Sequence, residues 1–333
     1  MNRNHHRCHL PFVIVTGLSL VTSSLFAQSS HPTSIVGLPF SGTSLTADHQ
    51  LRQSGFLDSM SREEFEMSEG AEGVAADAQS TRTSRSSLSD ADGGFSGAAD
   101  DRGGFDITPT YGAFSSPQLD GDTYALPAYA AFKLTDRVGL NFNVPMQYTR
   151  FRGPGGELEV WNINATVGVP IKVIPKMKGS PFSWTLTPHV GAGGYYADDG
   201  ADSTTYVGHG GLTSMLGFQN QHVTLSLANQ ITFYETIDRS GMYDFTPEIS
   251  QKIWKNGLKI SMPFAHRWIG DVYGIHTEFL ENAFLDRYFT LGASVGYHLA
   301  SMKKGSYLKL GTYTELAHGY QAIHFQFGTG WKF

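Results

Sequence analysis

The sequence is poor in cysteine, in charge and in long apolar runs. Cys8 is the single cysteine among 333 residues, which excludes a disulfide framework and a cysteine-rich zinc site. Charged residues make up 16%, well below the roughly 25% of an ordinary soluble domain. The net charge of −6 argues against nucleic acid as a partner, because phosphate contacts need clustered Lys and Arg. What the chain has instead is 38 glycines and 13% aromatic residues.

The first 27 residues have the pattern of a secretory signal. Arg3 and Arg7 precede an apolar stretch, 10–27, that ends in small residues. A basic start, an apolar core and a small-residue exit predict a signal peptide, cleaved after Ala27. An N-terminal membrane anchor is the alternative, but the run is short and polar-interrupted for a span of about 20 apolar residues. Cleavage would remove Cys8.

Residues 28–103 carry most of the net negative charge. They hold twelve Asp and Glu, five Arg and no Lys, whereas 104–333 are almost neutral overall. Low hydrophobicity with net charge predicts a disordered, acidic segment rich in Ser, Gly and Ala. The alternative is a plug for a lumen or a partner-binding segment, in which Ser59 or Ser61 caps a short helix.

Residues 104–333 alternate between apolar and polar side chains, as amphipathic strands do. In the last stretch Ile323 and Phe325 fall on one face and His324 on the other. A soluble β-sandwich alternates too, but its strands run about 5–6 residues, whereas these run about 11–14. That length crosses a membrane when tilted, and only a closed barrel leaves no unpaired edge in lipid. The sequence therefore predicts an all-β, transmembrane, antiparallel up-and-down β-barrel.

The pattern predicts about twelve strands, an even number that places both ends of the barrel in the periplasm. In this interpretation Lys255-Asn256 is a short turn, flanked by Trp254 in one aromatic belt, and 270–286 is a long constricting loop. Asp271 and Trp268 then lie at the long-loop end. The predicted strands are 104–115, 122–135, 137–150, 158–173, 182–196, 205–218, 221–235, 243–254, 257–269, 287–300, 306–317 and 321–333.

The final strand resembles the C-terminal strand of bacterial outer-membrane β-barrel proteins. It runs from Phe325 to a terminal Phe333, with Phe327 and Trp331 on the same face. The resemblance implies a location in the cell outer membrane, contact with its lipids, and recognition of these four aromatic residues by the barrel-assembly machinery and periplasmic chaperones. The order of signal, segment and barrel is also similar to autotransporters, although 28–103 is short and polar for a folded passenger.

The polar faces of the strands give the candidate lumen-lining residues. We expect a porin-like channel for passive diffusion of small polar solutes. One alternative is a structural, adhesive or autotransporter-like surface protein, and the other is an outer-membrane lipid hydrolase. The candidate residues are Asn143, Gln147, Asn162, Asn164, Thr187, His189, Gln230, Lys259, Lys309, Glu315, His324 and Gln326.

Residue patterns favour a protein that is not an enzyme. A lipid hydrolase needs Ser, His and a carboxylate or amide within hydrogen-bond reach, and no Ser sits in a nucleophile motif. His266, between Phe264 and Trp268, has the position of an interfacial residue. The remaining histidines are scattered over separate strands, so we expect no metal site and no cofactor.

Overall fold

The computed structural model describes residues 103–116, 120–153, 156–174, 181–198, 203–220, 223–240, 250–265, 267–281, 286–299 and 307–332. This part of the chain is built from β-strands joined by turns. It contains no helix long and apolar enough to cross a membrane. The predicted signal peptide, all but the last residue of the acidic segment, and the proposed cap at Ser59 or Ser61 lie outside the described residues.

Sixteen strand segments form one sheet. They are β1 (Gly103–Ile107), β2 (Thr110–Ser115), β3 (Asp120–Ala125), β4 (Ala128–Lys133), β5 (Gly139–Val144), β6 (Met146–Gly153), β7 (Gly156–Gly168), β8 (Ile171–Ile174), β9 (Phe182–Asp198), β10 (Ser203–Gln219), β11 (Thr224–Ser240), β12 (Ser250–Ala265), β13 (Trp268–Phe279), β14 (Arg287–His298), β15 (Tyr307–Ala317) and β16 (Tyr320–Lys332).

The sheet closes into a twelve-strand antiparallel barrel. β1 pairs with β16, with Phe105 opposite Trp331, so the first and last strands meet. Breaks of one or two residues separate β1 from β2, β3 from β4, β5 from β6 and β7 from β8. Each of these pairs makes one crossing of the wall, and β9 to β16 make one crossing each. The predicted fold class and strand number are confirmed.

The four breaks coincide with prolines, which have no N–H to donate to a ladder. Their carbonyls still accept: Pro127 O from the N–H of Thr108 (3.2 Å), and Pro170 O from the N–H of Gly139 (2.9 Å). Hydrogen bonds accepted by the proline carbonyls therefore keep the neighbouring strands joined at each break. The alternating pattern alone did not predict these interruptions.

The two faces of the barrel differ in polarity. Outward side chains are apolar and exposed, as at Val190 (63%), Leu310 (64%) and Trp161 (52%). Inward side chains are mostly polar and are buried, as at Thr166 and Gln230. An apolar outer surface with a polar interior is the arrangement of a barrel in lipid. We call the end that holds the start of β1 and the finish of β16 the terminal end, and the opposite end the loop end.

The predicted bounds of two strands, 243–254 and 257–269, were wrong. β12 runs without interruption through the expected turn at Lys255-Asn256, and the chain turns at Arg267 instead. The predicted constricting loop 270–286 is largely β13. Alternation in β13 is hidden because Ile269, Ile275 and Phe279 point inward while Val272 points outward. Its apolar residues thus lie on both faces.

Because of this misplaced turn, four residues lie elsewhere in the barrel than the sequence predicted. Lys255 and Asp271 are buried inward side chains, not members of a turn and a loop. Trp254 lies within β12, toward the loop end, and Trp268 begins β13 at the terminal end. The two tryptophans therefore exchange the ends to which the sequence assigned them.

The lumen as candidate functional site

An apolar ring lines the lumen at the loop end. Ten of the twelve crossings each contribute one buried residue to a single packed cluster. These residues lie near the loop-end limit of their strands, where polar Thr205, Gln251 and Glu315 are also buried. The members are Phe114, Phe151, Val160, Tyr195, Val207, Tyr234, Ile253, Phe279, Tyr288 and Ala322.

One side of the lumen is lined by neutral amides. Strand register brings them together: Tyr129 lies opposite Asn143, which lies opposite Thr166, and Gln147 lies opposite Asn162. All belong to β4 to β7, which are adjacent in the wall. We define the amide wall as the five amide side chains of Asn141, Asn143, Gln147, Asn162 and Asn164 together with the neighbouring phenol of Tyr129.

Polar atoms of the amide wall are left without partners among the described residues. A buried polar side chain normally has at least one hydrogen bond, so a group of unpaired atoms on two neighbouring crossings is unusual. The side chains of Asn141, Asn143 and Asn164 are no more than 2% exposed. The unpaired atoms are Asn141 Oδ1, Asn143 Oδ1 and Nδ2, Gln147 Oε1, Asn162 Oδ1 and Asn164 Oδ1, whereas the Tyr129 hydroxyl has the Asn141 side chain as a hydrogen-bond neighbour.

The amide wall connects to an aromatic pair. Asn164 Nδ2 donates to Thr166 Oγ1 at 3.3 Å, and Thr166 Oγ1 lies 3.0 Å from His209 Nε2. The His209 ring stacks on Tyr234, with ring centroids 5.4 Å apart. Both rings line a cavity of about 510 Å³ at the loop end. A polar path therefore leads from the amides to an aromatic surface near that mouth.

The opposite side of the lumen carries charge. We define this charged wall as six ionisable side chains on β12 to β16: Lys255, Lys259, Asp271, Lys309, Glu315 and His324. Lys309 Nζ lies 3.1 Å from Asp271 Oδ2, and Ser294 Oγ donates to the same oxygen at 3.1 Å. The pair is buried on the Asp271 side and a quarter exposed on the Lys309 side.

Other members of the charged wall are also hydrogen-bonded. Lys255 Nζ donates to Thr277 Oγ1 at 3.2 Å and to Tyr288 OH at 3.1 Å. These acceptors explain how a lysine 1% exposed is tolerated in a strand. Tyr320 OH donates to Glu315 Oε2 at 3.2 Å. His324 is the exception: its Nε2 lies 3.6 Å from that oxygen, and neither ring nitrogen is hydrogen-bonded among the described residues.

Glycines allow lumen side chains to lie along the wall. A methyl group on Gly168 would overlap Asn141 Oδ1, and one on Gly211 would overlap the His189 ring. The side chain of each neighbour therefore occupies the space above a glycine instead of crossing the lumen.

The structure places the predicted lumen residues on the inner face, but on different walls. The amide wall holds Asn143, Gln147, Asn162 and Asn164, and the charged wall holds Lys259, Lys309, Glu315 and His324. Four more inward residues are Thr187, His189, Gln230 and Gln326. Phe325 and Phe327 point outward and are exposed. The side chains of Trp331 and Phe333 lie outside the described residues, so the assembly signal stays a prediction.

Sequence reasoning missed Lys255, Asp271 and Tyr129 as lumen residues. The first two were assigned to the ends of strands because the β12–β13 turn was misplaced. A signal was available for Asp271, since it keeps the two-residue spacing of the inward Ile269 and Ile275. Among the described residues, no three His, Cys, Asp or Glu side chains are close enough to hold a metal ion.

Comparisons with known proteins identify the fold. No protein-family model and no curated protein matches the sequence. The β-domain of the Bordetella autotransporter BrkA has a TM-score of 0.53 at 14% identity, over 70% of this chain and 100% of that one. The transport unit of the Escherichia coli autotransporter AIDA-I has 0.52 at 9%, over 76% and 97%. An outer-membrane channel from Pseudomonas putida F1 has 0.50 at 12%, over 69% and 96%.

These similarities show that the chain has the fold of bacterial outer-membrane β-barrels. The three proteins are translocators or channels rather than enzymes. At such low identities the similarity extends to the fold alone.

Proposed function

We propose that this barrel is a channel for passive diffusion of small polar solutes. The observation that carries the proposal is the polar lining of the lumen, with neutral amides on one side and hydrogen-bonded charges on the other. Groups lining a pore set which solutes find favourable contacts inside it. A non-catalytic role is part of the proposal.

The apolar ring at the loop end limits what passes. Hydrophobic constrictions resist the entry of hydrated ions because water withdraws from them. Most of the inward polar side chains are also buried. We therefore expect a small single-channel conductance for salt.

Planar bilayers test this proposal. Refolded mature protein should give discrete, small conductance steps in KCl, and boiled protein should give none. Unboiled and boiled samples should migrate differently in SDS gels, which shows that the barrel is folded. A folded sample that never produces steps would contradict the channel function.

An autotransporter-like role is the second candidate. It is favoured by the two translocator folds among the compared structures and by the acidic segment that precedes the barrel. Protease added to intact cells should then release part of 28–103. If the segment is protected and the purified barrel conducts, the channel function is preferred. No contact among the described residues favours a lipid hydrolase, and His266 lies outside them.

Export and assembly belong to the same proposal. Cleavage after Ala27 and recognition of the terminal Phe333 would deliver the chain to the outer membrane. Phe333→Ala should lower the fraction of folded barrel in cells without changing the refolded protein in vitro. Equal folded fractions in cells would argue against this role of the terminal residue.

A further inference from the structure

We propose that the amide wall, together with His209 and Tyr234, is a binding site for neutral, hydroxyl-rich solutes of the saccharide class. This inference rests on the proposed channel function, and it names the solutes that the channel favours.

Unpaired polar atoms mark the amide wall as a binding surface. The amide wall presents several oxygens and one nitrogen without hydrogen-bond partners among the described residues. A buried polar group left without a partner is unfavourable, so a group of such atoms is expected to bind water or a ligand. The side chains of Asn141, Asn143 and Asn162 are more than nine-tenths buried and lie on the lumen face.

The side-chain amides of this wall suit a neutral, hydroxyl-rich ligand. An amide offers both donors and acceptors and carries no charge. Sugar hydroxyls also donate and accept at one atom, so they match amides better than a carboxylate or an ammonium ion does. Asp106, which lies opposite Tyr129 in the neighbouring strand, is hydrogen-bonded to Thr108 and Tyr307. The amide side chains are thus neutral, and the Asp106 carboxylate beside them already accepts hydrogen bonds at both oxygens.

The proposed site has an aromatic end. Tyr234 and His209 stack on each other and line the cavity of about 510 Å³, a volume within the usual range for ligand pockets. The C–H face of a pyranose ring is apolar and packs well on an aromatic ring, while its hydroxyls point sideways. Thr166 joins this aromatic pair to Asn164, so a chain of polar contacts links the amide wall to the cavity.

The charged wall does not offer the same site. The Asp271 carboxylate is already in contact with Lys309 and Ser294, and Lys255 donates to two hydroxyls. A neutral sugar binding there would have to displace charge-assisted hydrogen bonds, which are about twice as strong as neutral ones. The amide wall is thus the favoured side.

Maltose and the charged sugar acid gluconate are the probes. In a planar bilayer, maltose should reduce the KCl current in a concentration-dependent way, and gluconate at equal concentration should reduce it at least tenfold less. The double variant Asn141→Leu/Asn143→Leu should require at least tenfold more maltose for half block. Tyr234→Ala should weaken the block as well, since it removes the stacking surface.

Thr290→Val is the matched control, because Thr290 is an inward residue 2% exposed on the far side of the barrel. It should leave the maltose block unchanged. Each variant is first checked for folding by its migration in unboiled SDS gels. Tryptophan fluorescence of the refolded barrel, titrated with maltose, measures binding independently of current.

The outcomes separate the two proposals. Absence of conductance steps, with maltose binding that the double variant loses, would overturn the channel function and keep the site. Conductance steps with no effect of maltose, or with equal block in the double variant and the parent, would overturn the site and assign its unpaired atoms to water alone.

Discussion

The two walls of the lumen satisfy their buried polar groups differently. On the charged wall, Asp271 and Lys255 each have hydrogen-bonding or ionic neighbours on both of the next two strands of the wall. On the amide wall, Asn143 has neither of its side-chain polar atoms paired among the described residues. Paired charges hold neighbouring strands together, whereas unpaired amides leave binding capacity for something else. This difference is the basis of the proposal that one wall stabilises the barrel and the other binds a solute.

The largest expected effect is on the charged wall. Asp271→Asn leaves Lys309 without its carboxylate, so we expect the free energy of unfolding to fall by about 2 kcal/mol. This is below the ~3–5 kcal/mol of a fully buried pair because Lys309 is a quarter exposed. Urea unfolding in lipid vesicles measures it. Adding Lys309→Met should recover part of the loss, and equal stability of parent and single variant would show that the pair does not hold the wall.

A smaller effect is expected where a glycine supports the amide wall. Gly168→Ala should displace the Asn141 side chain, lowering stability by about 1–2 kcal/mol and weakening the maltose block. Gly210→Ala is the matched control, because the nearest atom to its added methyl group is 3.7 Å away. If both variants behave alike in unfolding and block, close packing over Gly168 is not what positions Asn141.

Removing an unpaired amide should not destabilise the barrel. Replacing a buried polar group that lacks a partner by an apolar one of similar size is neutral or stabilising. We therefore expect Asn143→Leu to leave the unfolding free energy unchanged or raise it by up to about 1 kcal/mol, in contrast to Asp271→Asn. Vesicle unfolding under identical conditions gives the comparison. A loss comparable to that of Asp271→Asn would mean that the amide wall is structural.

The smallest effect is expected outside the lumen. Lys133 Nζ lies 2.7 Å from the Asp136 carboxylate in an exposed turn, and its hydrogen bond and charge hold the pKa of Asp136 below the usual value. Because the depressed pKa applies to the folded state, any contribution is present at neutral pH and is lost as the pH falls through that pKa. Exposed pairs contribute little, so Asp136→Asn should not change unfolding measurably at pH 7. A clear destabilisation would show that this turn is more constrained than its exposure indicates.

Most of the fold follows from local pattern. The strands around Val190, Leu212 and Phe325 were predicted within a few residues because their outward side chains are apolar and their inward ones small or polar. β13 was missed because apolar Ile269 and Phe279 point into the lumen, where they pack on neighbours that the sequence does not reveal. The proline breaks, such as that at Pro145, were missed because alternation continues on both sides of each break.

The sequence by itself determined the class of protein. Long alternating strands ending in an aromatic residue can satisfy their backbone groups in lipid only by closing into a barrel, and an even number of crossings follows from the positions of the two ends. The tertiary structure decided which inward residues share a wall. Neighbours across a barrel are set by strand register and closure, which bring Asn143 beside Thr166 and Asp271 beside Ser294, and a one-residue change of register would turn each of these side chains to the other face.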